Sequence, residues 1–206
     1  MKKQPGKYPP DFLRCVEFHG HVCPGLAIGY AAVKAGSPVL KLGASPDEEV
    51  VAIVENDSCA VDAVQVLLGC TFGKGNLVFR DWGKQVFTFF DRATGRAVRA
   101  SFTGAIPGRD ERHALKQRID AGDATGQEKR RFDELRELAV TALVDSDPRT
   151  FFEVREIEIN VPPLARIVTA SFCERCGELT MDSRLVPKGG QLICSGCAAE
   201  SDREQP

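Results

Sequence analysis

The chain has 206 residues, 43% hydrophobic and 27% charged, which is the composition of a folded globular chain with a real core and excludes a disordered or fibrous one. Its 27 basic and 29 acidic residues give a formal charge of −2, so no global basic field draws in nucleic acid or an anionic membrane. Eight cysteines are too few for a disulfide scaffold of this length, yet four of them fall within 25 residues, from Cys173 to Cys197.

The basic start, Met1 to Lys7, runs into Tyr8-Pro9-Pro10-Asp11 where a signal peptide needs an apolar stretch. The longest nearly apolar run, Leu26 to Val33, is far shorter than the roughly 20 residues of a membrane span. The expectation is a cytoplasmic protein without membrane attachment. In that reducing compartment, paired C-x-x-C spacings point to metal ligation rather than disulfides.

In chain order, Asp11 to Phe18 reads as a short helix. It leads into Phe18-His19-Gly20-His21-Val22-Cys23-Pro24-Gly25, and Pro24 suits the first turn of an apolar helix over Leu26 to Val33. Val50 to Val54 is a β-branched run that predicts a buried strand. Glu55-Asn56-Asp57-Ser58 then offers an N-cap for a helix over Cys59 to Leu68. Gln85–Asp91 and Ala97–Phe102 flank Arg92-Ala93-Thr94-Gly95-Arg96 as a hairpin.

Between Arg109 and Val144 two charged helices are interrupted near Gly122 to Gly126. Arg109 to Glu137 holds eight basic and eight acidic residues, which predicts a solvated, ion-paired face. Phe152 to Ile159 alternates like a half-wet strand, and Val161-Pro162-Pro163-Leu164 breaks the chain. These elements predict an α+β core domain, residues 1–163, with an antiparallel sheet and packed helices. A small zinc-ribbon or treble-clef domain over residues 164–206 would follow it.

Cys173-x2-Cys176-x17-Cys194-x2-Cys197 has the spacing of a four-cysteine structural zinc site, in which each pair supplies two thiolates and a β-hairpin lies between. A segment of this size cannot hold itself by core burial, so the metal would supply much of its folding energy. From Arg166 to Pro206 there are five basic and six acidic residues, 5 − 6 = −1. Phosphate binding needs clustered Lys and Arg, so a structural or protein-contact role is expected and nucleic acid is disfavoured.

His19, His21 and Cys23 alternate, and in an extended segment all three would face one side. Cys23 and Cys59 each stand at a predicted helix start, where the dipole favours a thiolate. On the second helix Cys59, Asp62 and Gln65 share a polar stripe. The expected second site is therefore a metal held by His21, Cys23 and Cys59, most simply Zn2+. His19 would be a further ligand or base, and Asp62 and Gln65 would orient the ligands. Fewer than four protein ligands leave a position open for water or substrate. If the site works instead by a thiolate, Cys59 or Cys23 is the nucleophile with His19 or His21 as its base. Cys15 and Cys70 are assigned to the core.

The glycine-rich loop Gly69-Cys70-Thr71-Phe72-Gly73-Lys74-Gly75-Asn76 lacks the Walker A spacing. It reads either as an anion nest, with Lys74 and Asn76 holding a ligand, or as a plain turn. Asp81, Lys84 and Arg99 have weaker claims.

Taken together, the Phe18-to-Gly25 motif, Cys59-Ala60-Val61-Asp62-Ala63-Val64-Gln65, the loop Gly69 to Leu77 and Asp81-Trp82-Gly83-Lys84 resemble the FmdE family, named for a component of formylmethanofuran dehydrogenase, over residues 11–160. The C-terminal quartet resembles the treble-clef finger that some members carry. The resemblance implies an α+β core that forms a homodimer, with the His and Cys of the first motif and the Cys of the second sharing a cleft that holds a metal. It also implies association with the molybdenum or tungsten complex that reduces carbon dioxide onto methanofuran in methanogenesis. The expected function is a metal-binding protein whose second site takes a small molecule or performs redox or hydrolytic chemistry. The rival is a zinc-finger accessory subunit that docks onto a larger oxidoreductase or a transcription partner without catalysis of its own.

Overall fold

The computed structural model describes residues 6–165 and 167–203. Contacts divide the chain into two units, Met1–Leu164 and Ala165–Pro206. Among the described residues no helix is long and apolar enough to cross a membrane.

The first unit begins with helices α1 (Pro10–His19) and α2 (Pro24–Leu40). Then come β1 (Val50–Val54), α3 (Ala60–Leu68), β2 (Leu77–Phe79), β3 (Val86–Asp91), β4 (Ala97–Phe102), α4 (Arg109–Asp120), α5 (Gly126–Asp145) and β5 (Phe152–Ile157). The sheet order is β2-β1-β3-β4-β5. It is antiparallel from β1 through β5, while the edge pair β1–β2 is parallel. That parallel edge follows from the connection: α3 carries the chain back across the sheet, as a βαβ crossover must.

Register explains the core. Val54, Phe87 and Ala100 are cross-strand neighbours, as are Ala52, Phe89 and Val98. These point to one face, where they join Phe12, Leu26, Leu68 and Leu143 in a single buried cluster with α1, α2, α3 and α5. Each fully buried side chain of this size stabilises by about 1.5–3 kcal/mol. The opposite face carries the smaller cluster of Val51, Phe90 and Ala97. It also carries an ion pair between Arg99 and the buried Glu55, so Arg99 serves the sheet. Arg92 Nη1 and Nη2 donate to the carbonyls of Pro162 and Pro163 at 2.7 and 3.0 Å, tying the proline segment back to the turn between β3 and β4.

Helix α2 runs seven residues beyond Val33, through Pro38. Gly36-Ser37-Pro38 favours a helix break, but Ala35, Gly36, Ser37 and Leu40 are all buried, and their packing outweighs that preference. Helix α5 opens with a capping box between Thr125 and Glu128. Helix α4 buries no residue and rests on α5.

In the second unit, β6 (Ala170–Phe172) pairs with β7 (Leu179–Met181), and β8 (Leu185–Lys188) with β9 (Gln191–Cys194). Helix α6 (Ser195–Arg203) follows. A knuckle, a hairpin and a helix in this order make a treble-clef arrangement, with the second C-x-x-C at the helix start. Among the described residues its buried cluster is Cys173, Leu185, Ile193 and Cys197, too little apolar surface to hold the unit by itself.

Candidate metal centres

The segment from His19 to Cys23 is not extended. Helix α1 continues to His19, and Gly20, at φ 94°, caps it in the left-handed region that only glycine enters without cost. The alternation expected of His19, His21 and Cys23 is thereby replaced by a helix end, a turn and a new helix start. Cys23 is the N-cap of α2, and its Sγ accepts a hydrogen bond from Leu26 N at 3.3 Å, where serine or aspartate is the common choice. Pro24 takes the first helical position.

Cys59 is brought to Cys23 from the other side. Asn56 is buried; its Nδ2 donates to the Lys84 carbonyl at 2.8 Å, and its Oδ1 accepts from Ser58 N at 3.2 Å. This fixes the turn that places Cys59 as N-cap of α3. Helices α2 and α3 then approach at their starts. A Cβ on Gly29 would lie 2.0 Å from the Ala60 carbonyl oxygen, and one on Gly25 would lie 3.1 Å from Cys59 Cβ. Glycine at these positions permits the contact that brings the two thiols together.

His19, Cys23 and Cys59 place one ligand atom each within 4.8 Å of one another. His19 Nε2 lies 3.6 Å from Cys23 Sγ. A tetrahedral ion with bonds of about 2.3 Å to sulfur and about 2.0 Å to nitrogen requires about 3.5 Å for that edge, so His19 and Cys23 stand at the separation that two ligands of one ion need. The other ring nitrogen, Nδ1, is 2.7 Å from Asp62 Oδ2. Because the carboxylate can only accept, the proton belongs on Nδ1 and the Nε2 lone pair faces the thiols. Gln65 Nε2 donates to the other oxygen of Asp62 at 3.3 Å.

The thiol of Cys23 departs from the expectation of a dipole-stabilised thiolate. Burial pushes it up, the Leu26 N–H pulls it down, and the neighbouring Cys59 raises it again. A thiol raised in this way gives up its proton when a cation takes the proton's place.

His21 is exposed and outside the converging set. Its ring lies 4.5 Å from that of His19, tilted by 34°, as a partner to that imidazole rather than a third corner of the cluster. Partial burial, then the charges of His19 and Arg136, lower its pKa. Lys74 and Asn76 are committed to the fold. Lys74 Nζ donates to the Ser45 carbonyl at 2.9 Å. Asn76 is fully buried; its amide donates to Asp47 O and Val50 O and accepts from Thr71 N. These side chains are spent on backbone, and within the glycine-rich loop Gly75 N donates to the Phe72 carbonyl at 3.1 Å, closing a turn. Cys15 and Cys70 are buried in the core.

The second group is Cys173, Cys176, Cys194 and Cys197, again with all ligand atoms within 4.8 Å. Cys173 and Cys197 sulfurs are 4.0 Å apart, against about 3.8 Å for the edge of a tetrahedron with metal–sulfur bonds of about 2.3 Å. Cys194 N donates to Cys173 Sγ at 3.2 Å and Cys197 N to Cys194 Sγ at 3.3 Å. Backbone N–H groups of Cys176 and Cys194 hold the Cys173 thiol down at about 6, which favours the thiolate that a metal requires.

An α+β domain holding a His/Cys cluster between two helix starts, followed by a compact four-cysteine unit, defines a metal-binding protein. The family model described as "FmdE, Molybdenum formylmethanofuran dehydrogenase operon" matches residues 18–153, and the chain belongs to that family. It is 31% identical over 194 residues to a "probable S-adenosyl-L-methionine-binding protein" of Archaeoglobus fulgidus, a match that covers 89% of this chain and 52% of the relative. The chain thus spans about half the length of that curated relative. Among solved structures it resembles a tungsten formylmethanofuran dehydrogenase FmdE-like protein from Syntrophus aciditrophicus. That match has TM-score 0.58 and 25% identity, and it covers 92% of this chain and 90% of the other.

Proposed function

We propose that this protein carries two metal sites of different kinds: a closed structural zinc in the Cys173, Cys176, Cys194, Cys197 unit, and a second, ligand-accepting ion, most simply Zn2+, on His19, Cys23 and Cys59. The single observation that carries the second site is the line Asp62–His19–Cys23. A carboxylate fixes the imidazole tautomer on one side, and the donor nitrogen stands at metal-bridging distance from a thiol on the other. Three protein ligands leave one tetrahedral position for a water or for a donor atom of a small molecule. In that role Asp62 and Gln65 orient His19, and His21 flanks it.

The A. fulgidus relative supports S-adenosyl-L-methionine as one ligand to test, and the family's description supports a connection to one-carbon redox metabolism. Cobalt(II) titration of metal-free protein tests the reading. Two thiolate-rich tetrahedral sites are expected, seen as visible d–d absorption with thiolate-to-metal charge transfer, filling to two equivalents. In Cys59→Ser the titration should saturate at one equivalent. Saturation at one equivalent in the wild-type protein would leave the accessory-subunit reading, in which the N-terminal thiols serve structure alone.

A further inference from the structure

The charged segment of α4 and α5 is not uniformly ion-paired. One side behaves as a solvated face, with Arg131 paired to Glu111 and Arg118 to Glu128. Arg109, Arg112 and Lys116 instead recur at i, i+3 and i+7, so they share one stripe of α4. That stripe, with Arg136 and Phe132 of α5 and Pro24 of α2, encloses a cleft of about 600 Å³.

Four cations line this cleft against one carboxylate, Asp110, giving 4 − 1 = +3 with His113 neutral. Lys116 is met by Asp120, and Arg136 only loosely by Asp133 at 3.6 Å. Arg109 and Arg112 have no ion-pair partner among the described residues. Arg112 Nη1 is buried with no hydrogen-bond partner among the described residues. Burial, then the charges of Arg109 and Arg136, depress its pKa. A desolvated guanidinium N–H left unpaired beside like charges is costly, and an oxyanion in the cleft would offset the repulsion and draw these cationic heads to it through charge-assisted hydrogen bonds.

We propose that the cleft between α4, α5 and the start of α2 binds the oxyanion end, carboxylate or phosphate, of a small-molecule ligand. Its volume is that of a small-molecule site, and a chain with a net charge of −2 presents no extended track for a polyanion. Pro24 directly follows Cys23, so a ligand anchored here has its other end beside the His19, Cys23 and Cys59 cluster. Only this last placement rests on the metal-centre reading.

The test is calorimetric titration of the full-length protein with four probes, inorganic phosphate, pyrophosphate, acetate and citrate, at low and high salt. At least one should bind saturably and weaken as salt rises. In Arg112→Gln and Arg109→Gln the affinity should fall about tenfold or more, with circular dichroism and metal content unchanged. Whichever series binds, phosphate or carboxylate, assigns the ligand class. No saturable binding by any probe, or equal binding in both variants, overturns the proposal. So does Arg112-dependent binding of a polyanion such as heparin in the absence of small-probe binding. Cys59→Ser separates the two readings: it should keep the anion site, whatever it does to the metal.

Discussion

Asp62 and His19 are 43 residues apart in the chain and joined by a 2.7 Å hydrogen bond that orients the imidazole. A carboxylate in this position raises ligand basicity and fixes the tautomer. Asp62→Ala should therefore lower metal affinity at the N-terminal site about 10- to 100-fold while leaving the C-terminal quartet unchanged. Competition against a chelator of known affinity reads both numbers.

The approach of α2 to α3 depends on Gly29. A methyl group there meets the Ala60 backbone, which cannot move as a side-chain tip can. Gly29→Ala is expected to destabilise the first unit by about 1–3 kcal/mol and to weaken the N-terminal metal by separating Cys23 from Cys59. Gly43, exposed and with nothing within 4 Å of an added Cβ, is the control: Gly43→Ala should stay within about 0.5 kcal/mol. Urea unfolding monitored by circular dichroism distinguishes them.

Cys15 and Cys70 should be inert. Burial, first among the causes, pushes their thiols up to about 11 and about 12, and neither side chain reaches solvent. Alkylation at pH 8 followed by mass spectrometry is expected to label them only after denaturation. With metal removed, Cys176, the exposed member of the quartet, should label in the native state.

The second unit should fold with its metal and the first without it. Cys194→Ser or a strong chelator is expected to abolish hydrogen-exchange protection across residues 170–203, because the four-residue buried cluster cannot replace a metal contributing about 10 kcal/mol or more. Protection in β1, β3 and β4 should remain.

Acid stability has a marker at Asp11. Burial alone would raise this carboxyl, but hydrogen bonds from Lys34 and Tyr30 outweigh it and hold it below the usual range. Its folded value lies under its unfolded one, so its contribution is complete above the ordinary aspartate pKa and disappears as pH falls through the depressed value. In Asp11→Asn the slope of stability against pH should flatten in that acidic window, as measured by urea midpoints at stepped pH.

Much of the scaffold is legible in the residues themselves. The β-branched run Val50–Val54 and the hairpin of β3 and β4 lie where alternation and turn chemistry place them, and the Gly122–Gly126 interruption separates α4 from α5. Strand β2, three residues long, is too short to carry a period. The continuation of α2 through Pro38 is decided by burial that local propensity cannot register. At the site, the thiols at two helix starts are readable, but the choice of His19 over His21 is not. It depends on α1 extending to His19 and on Asp62 arriving from α3. The cations of α4 read as a balanced charge run because composition counts Arg112 and Glu111 alike, whereas the fold turns one toward the cleft and pairs the other with Arg131.

The presence of two metals on one chain is tested most directly by elemental analysis of anaerobically purified protein beside its Cys59→Ser variant. Two ions per chain are expected in the first and one in the second, with the same circular dichroism spectrum. One ion per chain in both proteins would contradict the two-metal reading.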